Sequence, residues 1–197
     1  MKIGLIAYRG GNVRSIRSAL EDLGVEVVYS NDPQVLNGCV GLIFPGVGAA
    51  APAMADLRAS GLHEWIPTWD RPFLGICLGM QLLCASSEEG EVETLGIFPC
   101  RVFRFRHAPR IPHMGWNAVD FLTEDPLFSN IPSQTHFYFV HSYRISLMER
   151  TIAQAVYSEP FSAAIRKGFF WGVQFHPEKS SEAGMQILSN FVTLCRS

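Results

Sequence analysis

"GICLGMQLL", Gly75–Leu83, sets a single thiol, Cys77, between a glycine two residues before it and another two residues after it. The apolar "RPFLGI" leading into it, Arg71–Ile76, reads as a buried strand, and the residues after Cys77 read as the start of a helix. A nucleophile on such a tight strand-to-helix turn is presented at the end of a sheet, and Gly75 and Gly79 let neighbouring backbones come close. The start of a helix also aims backbone N–H groups and a positive dipole end at the sulfur, so the turn favours thiolate. A free cysteine is ordinarily one more small buried hydrophobe. The flanking pattern carries chemistry only if the chain also supplies a base.

Working outward from this turn, the first half of the chain alternates short apolar runs with helical patterns. Ile3–Ala7 is a strand ended by "RGGN", Val13, Ile16, Leu20 and Leu23 fall at helical spacing, and "VEVVYS" after Gly24 is a second strand. "VGLIF", Val40–Phe44, precedes "PGVG", and Ala49–Trp65 reads as helical after Pro52. Buried strands alternating with helices predict an α/β fold, a mostly parallel central sheet with helices on both faces. From Gly96 the texture changes to short runs separated by turn residues, which predicts additional antiparallel strands, and Ala183–Leu194 closes the chain as a helix.

The 197 residues are 48% hydrophobic and 17% charged, enough for one sizeable core, so a single domain over 1–197 is expected. A net charge of −2 provides no general basic field for nucleic acid or an anionic membrane. Five cysteines without a CxxC pair suit reduced thiols in the cytoplasm better than a disulfide framework or a metal site. The uncharged stretch Val40–Ala55 is interrupted by Pro45, Gly46, Gly48 and Pro52, which argues against a membrane span.

The base is found far downstream in "WGVQFHPEKS", where His176 and Glu178 flank Pro177. In an extended segment residues i and i+2 project to one side, so the carboxylate can orient the imidazole. Cysteine, histidine and carboxylate are the parts of an activated-nucleophile triad. "FPGVG", Phe44–Gly48, follows a strand and provides a flexible backbone able to turn the Val47 N–H toward a tetrahedral oxyanion, with the Leu78 N–H as second donor. Together these segments assemble the chemistry of acyl transfer.

The order "PGVG", "GICLGMQLL", "FHPE" resembles the triad, or class I, glutamine amidotransferases across nearly the whole chain. The resemblance implies a flavodoxin-like class I amidotransferase fold, Cys77 as nucleophile, His176 as base and then acid, Glu178 as its orienting group, and L-glutamine as substrate. It also implies glutamine binding by Gln81, Gly46, Gly48, Ser142 and Tyr143, with neither cofactor nor metal. "GNVRS", "RIPHMGWN", "FYFVHSY" and "FHPEKSS" resemble more narrowly the glutaminases that feed a separate (β/α)8 barrel cyclase in histidine biosynthesis. That likeness implies a heterodimer in which Asn12, Met114, Trp116, Asn117, Tyr138 and Lys179 face the cyclase. His113 and His141 lie in the same segments without an implied role. Arg9 and Cys100 stand where the family commonly has glycine, which bears on docking rather than on the triad.

Other readings remain open at this level: a glutaminase serving a different aminating synthase, or a cysteine hydrolase of another amide. "RVFRFRHAPR" alternates arginines with aromatics as a nucleic-acid module does, but an edge strand with a solvated arginine face is the plainer expectation.

Overall fold

The computed structural model describes residues 1–8 and 13–196. The opening half alternates as β1 (Lys2–Ile6), α1 (Arg14–Asp22), β2 (Glu26–Ser30), α2 (Pro33–Leu36), β3 (Gly41–Phe44), α3 (Ala50–Ala59), α4 (Leu62–Trp65), β4 (Phe73–Ile76) and α5 (Leu78–Leu82). Strands then dominate: β5 (Cys84–Ser87), β6 (Val92–Glu93), β7 (Phe98–Arg104), β8 (His113–Phe121), β9 (Thr135–His141), β10 (Tyr143–Ile145), β11 (Thr151–Tyr157), β12 (Glu159–Lys167) and β13 (Phe170–Val173). Helix α6 (Ser181–Leu194) ends the described chain.

Among the described residues the strands form two sheets. The larger runs β2-β1-β3-β4-β13-β12-β11-β8-β9. Its first five strands are parallel to one another, and the remainder pair antiparallel. The parallel part is buried on both sides, and strict alternation of side chains divides its residues between two cores. Ile3, Leu5, Ile43, Leu74 and Ile76 meet Ile16 and Leu20 of α1 and Ile187, Leu188 and Phe191 of α6. Ile6, Leu42, Phe44 and Phe73 face the other way, onto Met54 and Leu57 of α3 and Met80 and Leu82 of α5. This is the expected α/β architecture.

Several details differ from the sequence reading. The expected helix over Ala49–Trp65 is cut at Gly61, whose φ of +75° ends α3 and starts the four-residue α4; Pro52 lies inside the first turn of α3, where no N–H is needed. The helix after Cys77 has five residues before Cys84 opens β5, so it presents its own first N–H groups at the turn and no long helix dipole. The small sheet, β10-β7-β5-β6, was not anticipated. It makes β7 an interior strand rather than an edge, with Arg101 paired to Glu91 and the following Arg106 paired to Glu88. Cys100 packs in this sheet with its sulfur 3.2 Å from that of Cys84. Arg9 lies outside the described residues.

Candidate active site

Because β1, β3, β4 and β13 are parallel, the segments leaving their carboxyl ends all emerge on one rim of the sheet, where open α/β sheets bind ligands. Those segments carry Tyr8, Gly46–Gly48, Cys77 and Gln174–His176 in turn. Cys77 has φ +52° and ψ −107°, outside the regions that L-residues prefer. The turn is held by Cys77 N–H donating to Val173 O at 2.7 Å and by Gln81 N–H donating to Cys77 O at 3.1 Å.

The glycines of the motif answer to a close approach between this turn and the loop after β3. A Cβ on Gly79 would sit 2.0 Å from Phe44 O, and one on Gly46 would sit 2.4 Å from Leu78 N. Neither position admits any other side chain without moving backbone. Leu78 is the first residue of α5, so its N–H has no acceptor within the helix.

A cavity of about 300 Å³ opens here, lined by Gly46, Val47, Gly48, Cys77, Leu78, Gln81, Ser142, Tyr143 and His176, together with Glu89, Pro112, Val140 and His141. Its size is at the lower end of the roughly 300–1,000 Å³ typical of ligand pockets, suited to an amino acid. A larger hollow of about 790 Å³ between Phe121 and Ile131 lacks a cysteine or histidine in its lining and is not where the nucleophile lies.

His176 is almost fully buried, and its Nδ1 donates to Glu178 Oε1 at 2.8 Å. The carboxylate only accepts, so Nδ1 carries the proton and Nε2, which has no hydrogen-bond partner among the described residues, is left as the reactive nitrogen. Burial alone would lower the imidazole pKa, but the negative charge available at Cys77 and then at Glu178 raises it to about 10. The expected extended spacing of His176 and Glu178 is replaced by a 3₁₀ turn over Pro177–Lys179. The backbone of His176 is tied to β9, its N–H donating to Tyr138 O at 2.9 Å, while Ser180 Oγ donates to His176 O and accepts from Tyr138 N–H.

The Val47 N–H is engaged: it donates to Tyr8 Oη at 2.9 Å, and that hydroxyl donates to Val47 O at 3.0 Å. In this conformation the amide expected to meet an oxyanion is therefore held by Tyr8. Gln81 Nε2 donates to Tyr143 O and to Gln174 Oε1, both at 2.9 Å. Tyr143 O also accepts from His141 Nδ1 at 2.7 Å, which leaves His141 Nε2 to accept from His113 Nδ1 at 3.0 Å. His113 Nε2 faces Asn117 Nδ2 at 3.4 Å. This directional chain keeps both rings neutral, and burial lowers their pKa values to about 4 for His113 and about 3 for His141.

Of the residues expected to face a partner, Met114 and Trp116 are 61% and 52% exposed on β8, beside Tyr138 of β9, whose ring meets Trp116 edge-on. Asn117 donates to Val156 O, and Lys179, the last residue of the 3₁₀ turn after His176, is exposed. Asn12 lies outside the described residues. Sequence reasoning passed over Tyr8, Glu89 and Gln174. Gln174 had a signal, a lone amide in the apolar run "FFWGVQF", whereas nothing local marks Tyr8.

A nucleophile elbow carrying cysteine, at the rim of a mixed α/β sheet and beside a carboxylate-held histidine, defines the class of the triad glutamine amidotransferases. The sequence matches the glutamine amidotransferase class-I family over residues 5–195. It is 48% identical over 197 residues to imidazole glycerol phosphate synthase subunit HisH of Bacteroides fragilis, covering 98% of this chain and 100% of that one. With the HisH subunit of Synechococcus elongatus it shares 45% identity, over 98% of this chain and 93% of the relative. The fold superimposes on a glutamine amidotransferase from Thermotoga maritima with a TM-score of 0.74 at 16% identity, covering 100% and 99% of the two chains. The chain belongs to the class-I glutamine amidotransferases and, within them, to the HisH subunits of imidazole glycerol phosphate synthase.

Proposed function

We propose that this enzyme hydrolyses L-glutamine to glutamate and ammonia at Cys77 and passes the ammonia to a (β/α)8 barrel cyclase subunit that makes imidazole glycerol phosphate in histidine biosynthesis. The observation that carries the chemistry is Cys77, at positive φ on its turn, sharing one cavity with a His176 whose far nitrogen is bound to Glu178. The thiolate attacks the carboxamide carbon, and the oxyanion forms against the Leu78 N–H and, once released from Tyr8, the Val47 N–H. The His176 imidazolium gives its Nε2 proton to the amide nitrogen, the C–N bond breaks, and ammonia leaves a thioester. Water, deprotonated by the now neutral imidazole, attacks that thioester; glutamate leaves and the thiolate and imidazolium are restored.

Gln81, Gly46, Gly48 and the backbone of Ser142 and Tyr143 surround the substrate, and Glu89, the acidic side chain in the cavity lining, suits its α-ammonium group. Ammonia released into neutral water would become ammonium, so efficient transfer needs a closed passage. Met114, Trp116, Asn117, Tyr138 and Lys179 supply the surface that seals against the cyclase; Asn12, expected with them, lies outside the described residues. The chain is proposed to work as one domain in the cytoplasm; the family match over 5–195 supports the first, and among the described residues no helix is long and apolar enough to cross a membrane.

The test is copurification with a candidate barrel cyclase, followed by cyclisation driven by glutamine or by ammonia. Cys77→Ala is expected to abolish the first and spare the second. Retention of glutamine-driven turnover in that variant would remove the proposal.

A further inference from the structure

Gln174 leaves the end of β13 as a fully buried amide, and its backbone N–H, donating to Ala163 O at 2.8 Å, anchors it to β12. Burying an amide is costly unless both of its ends are paired. Here both are, and the pairing fixes which end faces which neighbour. Tyr143 O can only accept, so Gln81 presents its NH₂ there. The same NH₂ faces Gln174, which must therefore present its oxygen. That leaves the Gln174 Nε2 donors directed at Cys77 Sγ, 3.5 Å away.

We propose that Gln174 is a further catalytic residue of this site, donating an N–H to the Cys77 sulfur while its oxygen holds Gln81, so that the nucleophile and the glutamine-binding side chain are set by one amide. The inference rests on the reading of Cys77 as nucleophile. Its logic is electrostatic. A thiol needs no donor, whereas a thiolate gains from one, and hydrogen bonds to a charged acceptor are the stronger kind. Besides His176, the sulfur meets the carbonyl of Val140 at 3.7 Å, which stabilises a thiol and repels a thiolate. An apolar residue at 174 would forfeit the donor and leave one Gln81 proton unpaired. A carboxylate would keep Gln81 paired and place an anion against the sulfur.

The experiment follows alkylation of Cys77 by iodoacetamide in the full-length chain, by peptide mass mapping across pH, in wild type, Gln174→Met and Gln174→Glu. The other ionisable groups around the sulfur, His176 with Glu178 behind it, Tyr8 after β1, and His141 and Glu89 of the shared cavity lining, are the same in every variant. Alkylation at neutral pH is expected to slow on the order of tenfold in Gln174→Met and further in Gln174→Glu, with the alkaline plateau unchanged. Glutaminase kcat in the cyclase complex should fall by a similar factor, with KM moving less than threefold. Unshifted alkylation profiles in both variants overturn the inference, even if turnover drops, because a purely structural amide would act through Gln81 and KM. If alkylating Cys77 in wild type leaves glutamine turnover intact, it is the nucleophile assignment that fails instead.

Discussion

The Tyr8 hydroxyl bridges the N–H and the C=O of Val47, at 2.9 and 3.0 Å, across the gap between the segments that leave β1 and β3. The ring is buried and stands edge-on to Phe44, so the hydroxyl has little freedom to leave. Burial pushes its pKa well above the ordinary tyrosine value, which keeps it a neutral donor and acceptor at any physiological pH. An amide held in this way is withheld from an oxyanion until something pulls the loop inward, and a liganded cyclase is the expected agent.

Tyr8→Phe therefore carries a two-part expectation. Glutamine hydrolysis by the isolated chain should rise severalfold, and the further stimulation by liganded cyclase should shrink. Thermal stability should fall, because the Val47 amide loses a buried partner at a cost of about 1–3 kcal/mol. Equal basal rates in the two proteins would show that Tyr8 does not restrain the loop.

Glu178→Gln keeps the shape of the His176 contact and removes its charge. The imidazole pKa should drop from its raised position near 10, where Glu178 contributes after Cys77. kcat for glutaminase is expected to fall on the order of 10²-fold or more, with KM little altered. Ammonia-driven cyclisation in the complex should be unaffected, which separates loss of the base from loss of assembly.

Gly79→Ala tests the packing of the motif rather than its chemistry. The added methyl would lie 2.0 Å from Phe44 O, backbone that cannot swing aside. Overpacking of this kind costs about 1–3 kcal/mol or more, which at this chain length lowers Tm by roughly 2–4 °C per kcal/mol. A melting curve superimposable on wild type would contradict the tight approach.

Acid should destabilise the fold through His113 and His141. Both have folded pKa values below the ordinary 6.5, so the fold prefers them neutral. Their contribution is complete above about pH 6.5 and is lost as pH falls toward 4 for His113 and 3 for His141. Thermal melts at about pH 7, 5.5 and 4.5 should show this decline, and it should be smaller in a His113→Asn variant. His176 runs the other way: its raised pKa favours the fold below pH 6.5, a contribution lost as pH rises through about 10.

The strands of the first half and the meeting of Cys77 with His176 and Glu178 were legible because each rests on a local signature: apolar runs, a glycine-flanked cysteine, "HPE" after a strand. Tyr8 and Gln174 escaped for a different reason. Their partners are 39 and 97 residues away, and no spacing rule connects them. The small sheet was missed because β6 has two residues and β10 has three, too short to show a period.

Parallel strands give the central sheet a direction, and everything reactive departs from one end of it. At the other end the chain merely reverses, as at Gly168, with φ +58°, and the half-exposed Phe169, which connect β12 to β13. A loop lengthened there, or an affinity handle or fluorophore spliced into it, would sit on the far side of the sheet from Cys77. The protein thus offers an attachment point from which the chemistry at Cys77 and docking on the face proposed for the cyclase can be watched from the far end of the sheet.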